Sequence, residues 1–190
     1  VLKAARHLLS IITDMLDVTR LDAGALALDL APVPLGEIIG EAGRMMAPAA
    51  SSKRIQLRQF VEPALPALNA DARRLRQALI NLIANAVKFT QEGGTVGFGA
   101  RRAEGGIELY VEDSGIGMTP EDIEVALTVF GRAKEGYAKA QEGTGIGLPL
   151  AKALIERHGG RFTIESARGK GTKIKAMFPA ECLAKEGNAA

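Results

Sequence analysis

The stretch QALINLIANAVKFT, residues 77–90, carries the pattern on which the fold turns. At about 100° per residue, Gln77, Asn81, Asn85 and Lys88 fall on one stripe of a helix. Leu75, Leu79, Leu82, Ile83 and Ala86 fall broadly opposite, where they would face a core. Asp71 is a good N-cap, and the helix runs to about Phe89 before the turn QEGG. Asparagine is a weaker helix former than Glu, Lys or Gln, so a merely solvated face would be better served by those residues. Two asparagines one turn apart suggest a functional role instead, as neutral oxygens able to hold Mg2+, with Lys88 nearby for phosphate. A solvated face remains the competing reading of this helix taken alone.

Two glycine clusters lie downstream. Asp113-Ser114-Gly115-Ile116-Gly117-Met118 directly follows a strand. Its glycines let the backbone turn tightly and approach a flat ligand, and an aspartate at a strand end can accept from an exocyclic amine such as that of adenine. An ordinary strand-to-helix turn, with Thr119 as a cap before Pro120-Glu121-Asp122, is the alternative. Gly143-Thr144-Gly145-Ile146-Gly147-Leu148 precedes a helix, so its backbone N–H groups and the helix N-terminus favour an anion. A Rossmann turn does not fit here. The strand it needs before the glycines is replaced by polar loop, and the third glycine is misplaced. The Walker pattern is missing, since Gly169-Lys170 lacks both the upstream glycine and a following hydroxyl. The catalytic-loop and metal-binding tripeptides of protein kinases are missing too.

Around these motifs the chain reads as α+β. Residues 2–23 form one helix, with Leu2, Ala5, Leu9, Ile12, Leu16, Thr19 and Ala23 at alternating spacings of three and four, widened by Leu8, Ile11, Met15 and Val18. So much apolar circumference calls for other helices around it, as in a bundle, supplied by another subunit or by sequence outside this chain. Gly24 ends it. Residues 28–36 read as an extended linker, 36–50 as a helix, 55–61 as a strand and 62–67 as a Pro-rich turn. Strands follow at 95–101 and 107–112, a polar loop at 131–144, a helix from Leu148 to His158, and strands at 161–166 and 172–178. Strands in a largely antiparallel run, mixed with helices, predict one sheet with helices on one face.

Bulk properties narrow the function classes. In 190 residues, 47% are apolar, which suits a folded soluble domain with an attached element. No apolar run reaches bilayer-spanning length, and the first residues show no signal-peptide pattern. The net charge is +2, with acids and bases interleaved and few aromatics, so nothing recommends nucleic acid as a partner. Cys182 stands alone and reads as incidental. Because Val1 already sits inside the helical period, the chain reads as a fragment of something longer.

The three motifs in this order and spacing are far more specific than any one of them. QALINLIANAVKFT resembles the N box of histidine kinases, DSGIGM their first glycine box, and GTGIGLPL (143–150) their second. DARRLRQ (71–77) resembles the approach to the N box, LDVTRLDAGAL (16–26) the end of the dimerization helix, and RGKGTKIKAMFP the closing strand. The resemblance covers the chain up to residue 178. It implies the two-layer α/β sandwich shared with gyrase and the Hsp90 chaperones, preceded by one long helix of a dimeric bundle. The implied organisation is residues 1–27 as the second dimerization helix, 28–182 as the catalytic ATP-binding domain, and 183–190 as a tail.

By position, the resemblance implies Asn85 as the Mg2+ ligand with Asn81 beside it. Lys88 would contact phosphate, these three forming the catalytic set, and Asp113 would read the adenine amine. Gly115, Gly117, Gly143, Thr144, Gly145, Gly147 and Leu148 would shape the ATP pocket and the hinge of a lid over 118–142, with Thr172 lining the adenine site. Phe130 resembles the lid phenylalanine, and Arg132, Lys134 and Lys139 could reach phosphates from there. In the water-using ATPases of the superfamily a glutamate stands where this chain has Asn81, which cannot act as a general base. Hydrolysis should therefore be slow, while an incoming imidazole can still attack. That imidazole is not expected here. His7 lacks the neighbouring acid and later proline of the family's phospho-acceptor, and His158, in the last turn of a helix where the dipole favours positive charge, reads as structural.

The implied partners are a second copy of the subunit through residues 2–23 and the receiver domain of a response regulator. The chain is expected to be cytoplasmic, any membrane attachment coming through an upstream sensor. A scaffold or phosphotransfer adaptor that keeps the fold without the reaction is the other class. The intact boxes argue against it.

Overall fold

The structure, a computed structural model, describes residues 12, 13, 15–17, 19, 26–131 and 144–184. The described residues between 12 and 19 are helical and are called α1. They are followed by β1 (Ala31–Val33), α2 (Leu35–Ser52), β2 (Gln56–Val61), β3 (Leu68–Ala70) and α3 (Ala72–Phe89). Next come β4 (Thr95–Ala103), β5 (Gly106–Asp113), α4 (Pro120–Ala126), α5 (Gly147–Arg157), β6 (Arg161–Ser166), β7 (Thr172–Pro179) and a 3-10 turn, Ala180–Cys182.

Five strands form a sheet in the order β2-β4-β5-β7-β6, antiparallel except for the parallel pair β2–β4. Alternation along β5 explains which face is covered. Ile107, Leu109 and Val111 are buried against the helices, while Tyr110 and Glu112 point the other way beside Lys173 and Lys175 of β7. α3 packs between α2 and α5, so its apolar residues Leu75, Leu79, Leu82 and Ile83 close the core with Phe98, Phe178, Leu154 and Ile155. The result is the expected two-layer sandwich. Among the described residues no helix is long and apolar enough to cross a membrane.

Two features depart from the sequence reading. Residues 31–33, expected as linker, pair antiparallel with β3 (Val33↔Leu68), and Leu68 is fully buried. Three-residue strands are too short to show a period. Within the expected lid, α4 is opened by a reciprocal capping box between Thr119 and Asp122, in line with the strand-to-helix turn capped by Thr119 that the sequence offered. The ordered body also extends past residue 182, because Leu183 bridges Leu68 and Ala184 N–H donates to Ala67 O at 2.8 Å.

Candidate functional site

α3 starts where the sequence places it. The Asp71 carboxylate accepts from Arg74 N–H at 3.0 Å and from Asp29 N–H at 3.3 Å. Burial pushes this carboxyl up, but the two backbone hydrogen bonds and the Arg73 charge outweigh it and leave the pKa below the usual carboxylate value. The Asp71 N–H donates to His158 Nε2 at 3.0 Å, and His158 Nδ1 lies 2.7 Å from Leu154 O. A carbonyl only accepts and an amide N–H only donates, so Nδ1 carries the proton and Nε2 does not. The buried His158 (5% exposed) thus joins α5 to the start of α3, the structural role read from its position in the sequence.

The polar stripe of α3 meets the second glycine cluster. Gly147 opens α5, and a Cβ there would lie 3.8 Å from Asn81 Cγ and 3.9 Å from Asn85 Nδ2. Among the described residues no side chain caps α5, unlike α3 and α4, which leaves the N–H groups of Gly147 and Leu148 suited to an anion. Thr144 Oγ1 accepts from Ile146 N–H at 3.4 Å, and Leu148 packs partly buried against the core. Asn81 Nδ2 is buried with no hydrogen-bond partner among the described residues. Because the ends of an amide exchange by a flip, that position suits a phosphate oxygen as nitrogen or a cation as oxygen.

The first glycine cluster lies at the other end of α3. Asp113 ends β5, and its Oδ1 accepts from Gly115 N–H at 2.8 Å. Burial raises its carboxyl above the usual value, opposed by backbone hydrogen bonds from Gly115 and Thr172. Thr172 pairs with Asp113 across β5–β7. Its hydroxyl is 2.9 Å from Ser166 Oγ, which donates to Gly171 O and accepts from Met118 N–H. Ser166 therefore anchors the exit of the first glycine cluster, a role invisible to motif reading because it depends on strand register. Gly117, at φ +64°, is required by the protein itself, since a Cβ would fall 1.9 Å from Ala167 O. The sequence reading assigned this closeness to a ligand. In the structure it belongs at least partly to the β6–β7 hairpin.

The two feet of the expected lid touch. Phe130 N–H donates to Gly145 O at 3.2 Å, with Phe130 at φ +63° and largely exposed. Gly143, Arg132, Lys134 and Lys139 lie outside the described residues. A separate groove of about 600 Å3, lined by Phe60, Gly97, Tyr110 and Glu112, opens on the outer sheet face. It touches Asp113 and Thr172 but none of Asn81, Asn85 or Lys88, so it is not where the motifs converge.

A largely antiparallel sheet backed by three helices, with amides on one helix facing the glycine-led start of another, defines a nucleotide-binding α/β sandwich. The profile of the "Histidine kinase-, DNA gyrase B-, and HSP90-like ATPase" family matches residues 70–181. Cell-division control histidine kinase PdhS of Brucella abortus (strain S19) is 38% identical over 186 residues, spanning 93% of this chain and 18% of that protein. Full-length ShkA in complex with AMPPNP is 32% identical with a TM-score of 0.78, covering 94% of this chain and 38% of that one. The mycobacterial sensor histidine kinase MprB is 27% identical with a TM-score of 0.66, covering 79% and 97%. The chain belongs to this ATPase family and is the ATP-binding catalytic domain of a sensor histidine kinase. It spans under a fifth of the length of the curated relatives it matches.

Proposed function

We propose that this domain grips ATP with Mg2+ between the α3 stripe, the Asp113–Gly117 loop and the start of α5, and passes the γ-phosphoryl to a histidine outside the described residues. The observation that carries this is the placement of Asn81 and Asn85 beside Gly147: two amides, one with a buried atom that has no partner among the described residues, facing a helix N-terminus that no described side chain caps. Among the described residues no cluster of three or more His, Cys, Asp or Glu could hold a metal. Asn85, with Asn81 beside it, would hold Mg2+ together with the phosphates of the nucleotide, the usual way this ion is bound in phosphoryl-transfer sites. When bound, Mg2+ supplies charge neutralisation on the transferring phosphate.

The residues of the chain do the rest. Asp113 accepts from the adenine amine and fixes the base. Lys88 and the first-turn N–H groups of α5 hold the phosphates, so the γ-phosphorus is presented in line to an imidazole nitrogen. An N–P bond forms as the bond to the β-phosphate oxygen breaks, ADP leaves, and the imidazole proton goes to a base outside the described residues. Asn81 cannot take a proton from water, so transfer to histidine is favoured over hydrolysis. His158 is not the acceptor, because both its ring nitrogens are engaged and the ring is buried.

Ile12, Met15 and Leu16 on α1 are about half exposed, which fits a second copy of the chain packed there. A receiver domain would then take the phosphoryl group onto an aspartate, in the cytoplasm. Titration with a fluorescent ATP analogue, with and without Mg2+, tests the reading. Mg2+-dependent binding lost in Asn85→Ala is expected; no binding at all would leave only a scaffold.

A further inference from the structure

The last four carbonyls of an α-helix have no partner within the helix, and in α3 these belong to Ala86, Val87, Lys88 and Phe89. Ala86 O accepts from Thr90 N–H at 3.0 Å and from Thr90 Oγ1 at 2.7 Å. Phe89 O accepts from Ile116 N–H at 3.3 Å, inside the first glycine cluster. The remaining two are taken by one distant side chain. Lys53 Nζ is 2.9 Å from Val87 O and 2.7 Å from Lys88 O, with Thr90 O at 3.5 Å.

Lys53 is the C-cap residue of α2, and its ammonium directs its donors at the final turn of α3, where the helix dipole favours a positive charge. The backbone around it is braced: Lys53 O accepts from Gly93 N–H at 3.4 Å, and the next residue, Arg54, is ion-paired with Glu92. The C-terminal turn of α3 is thus held from one side by α2 and from the other by the Asp113–Gly117 loop. Without Lys53 these carbonyls would turn to water, and a water-capped final turn frays readily. That turn bears Lys88 and adjoins Asn85.

We propose that Lys53 is a positioning residue for nucleotide binding: it holds the phosphate-gripping end of α3 in register with the base-reading loop, without itself touching the nucleotide. The inference rests on the nucleotide site proposed above. The test compares Lys53→Met, Lys53→Arg and Phe178→Leu, the last a core change away from the site. Affinity for the fluorescent ATP analogue with Mg2+ is measured well below every thermal midpoint. Lys53→Met should weaken binding about tenfold, because a small displacement of gripping groups is costly. Lys53→Arg, which keeps charge and donors, should recover most of that loss, and Phe178→Leu should bind as the unmutated chain does. If Lys53→Met fails to fold, Lys53→Gln is read in its place. Unchanged affinity in the Met or Gln variant, or an equal loss in Phe178→Leu, overturns the role of Lys53 alone. Absence of binding by the unmutated chain overturns the site reading and this inference together.

Discussion

Asp17 of α1 and Arg74 of α3 form an ion pair at 2.5 Å, with side chains only 5% and 7% exposed. Gln77 braces both partners, donating to Asp17 Oδ2 at 3.0 Å and accepting from Arg74 Nη1 at 2.9 Å. This triad docks the helix expected to dimerize onto the helix that carries Asn81 and Asn85, so the two expected domains share a buried polar joint.

Removing one member of a buried pair leaves the other charge uncompensated, at a cost of about 3–5 kcal/mol when nothing relaxes. Asp17→Ala should therefore lower the denaturation midpoint or release α1. The double variant Asp17→Leu, Arg74→Met should recover much of the loss, as a double-mutant cycle would read out. Burial pushes the Asp17 carboxyl up, but hydrogen bonds from Arg74 and Gln77 and the neighbouring arginine charges hold it below 3.8. A depressed acid stabilises the fold above its unfolded pKa and stops doing so as pH falls through its folded one. The coupling should thus be intact above 3.8 and fade at lower pH. A coupling energy unchanged to very low pH would contradict this.

Asp113 carries the opposite sign. Burial holds its carboxyl above 3.8, so the charged form is disfavoured by the fold. Such a group contributes stability below its unfolded pKa and loses it as pH rises through the folded one. Asp113→Asn should accordingly raise the thermal midpoint of the nucleotide-free domain at neutral pH. The same change should weaken ATP binding by about tenfold or more, since a charge-assisted hydrogen bond is lost. Affinity of the unmutated domain should fall on acidification at a pH above that of an exposed aspartate, and the variant should lack that step. A variant that binds as tightly as the original removes Asp113 from the base-reading role.

Asn81 sets the expectation for turnover. An amide cannot deprotonate water, so ADP release from ATP in this chain should be slow or undetectable in a coupled assay. Rapid hydrolysis that disappears in Asn85→Ala would show that another residue serves as base.

His158→Ala should destabilise the domain by about 1–3 kcal/mol, because the Asp71 N–H is left buried without an acceptor. Leu154 O keeps its bond from the backbone N–H of residue 158. Incubation with ATP should place no acid-labile phosphate on His158. Mass spectrometry finding it there would show that the ring leaves its two partners.

Periodicity and caps lie along the chain and depend on near neighbours, which is why α3 was legible. Its N-cap Asp71, its apolar face and its end at Phe89 all appear where spacing put them. Three motifs in fixed order carried the resemblance to histidine kinases, and that resemblance implied the two-layer sandwich and the nucleotide class. Contacts between distant segments were not legible, because no local pattern records them. Lys53 reaching Val87 and Lys88, Asp17 reaching Arg74, and Asp71 reaching His158 each join residues separated by 34 to 87 positions. The glycines divide along the same line. Their clustering was visible in the sequence, but only the folded chain placed the carbonyl of Ala167 against Gly117 and the amides of Asn81 and Asn85 beneath Gly147. The sequence alone determined the long helices, the five strands of the main sheet and the chemistry their faces carry. Tertiary packing decided which of those faces meet, because buried polar groups must find partners wherever the chain brings them together.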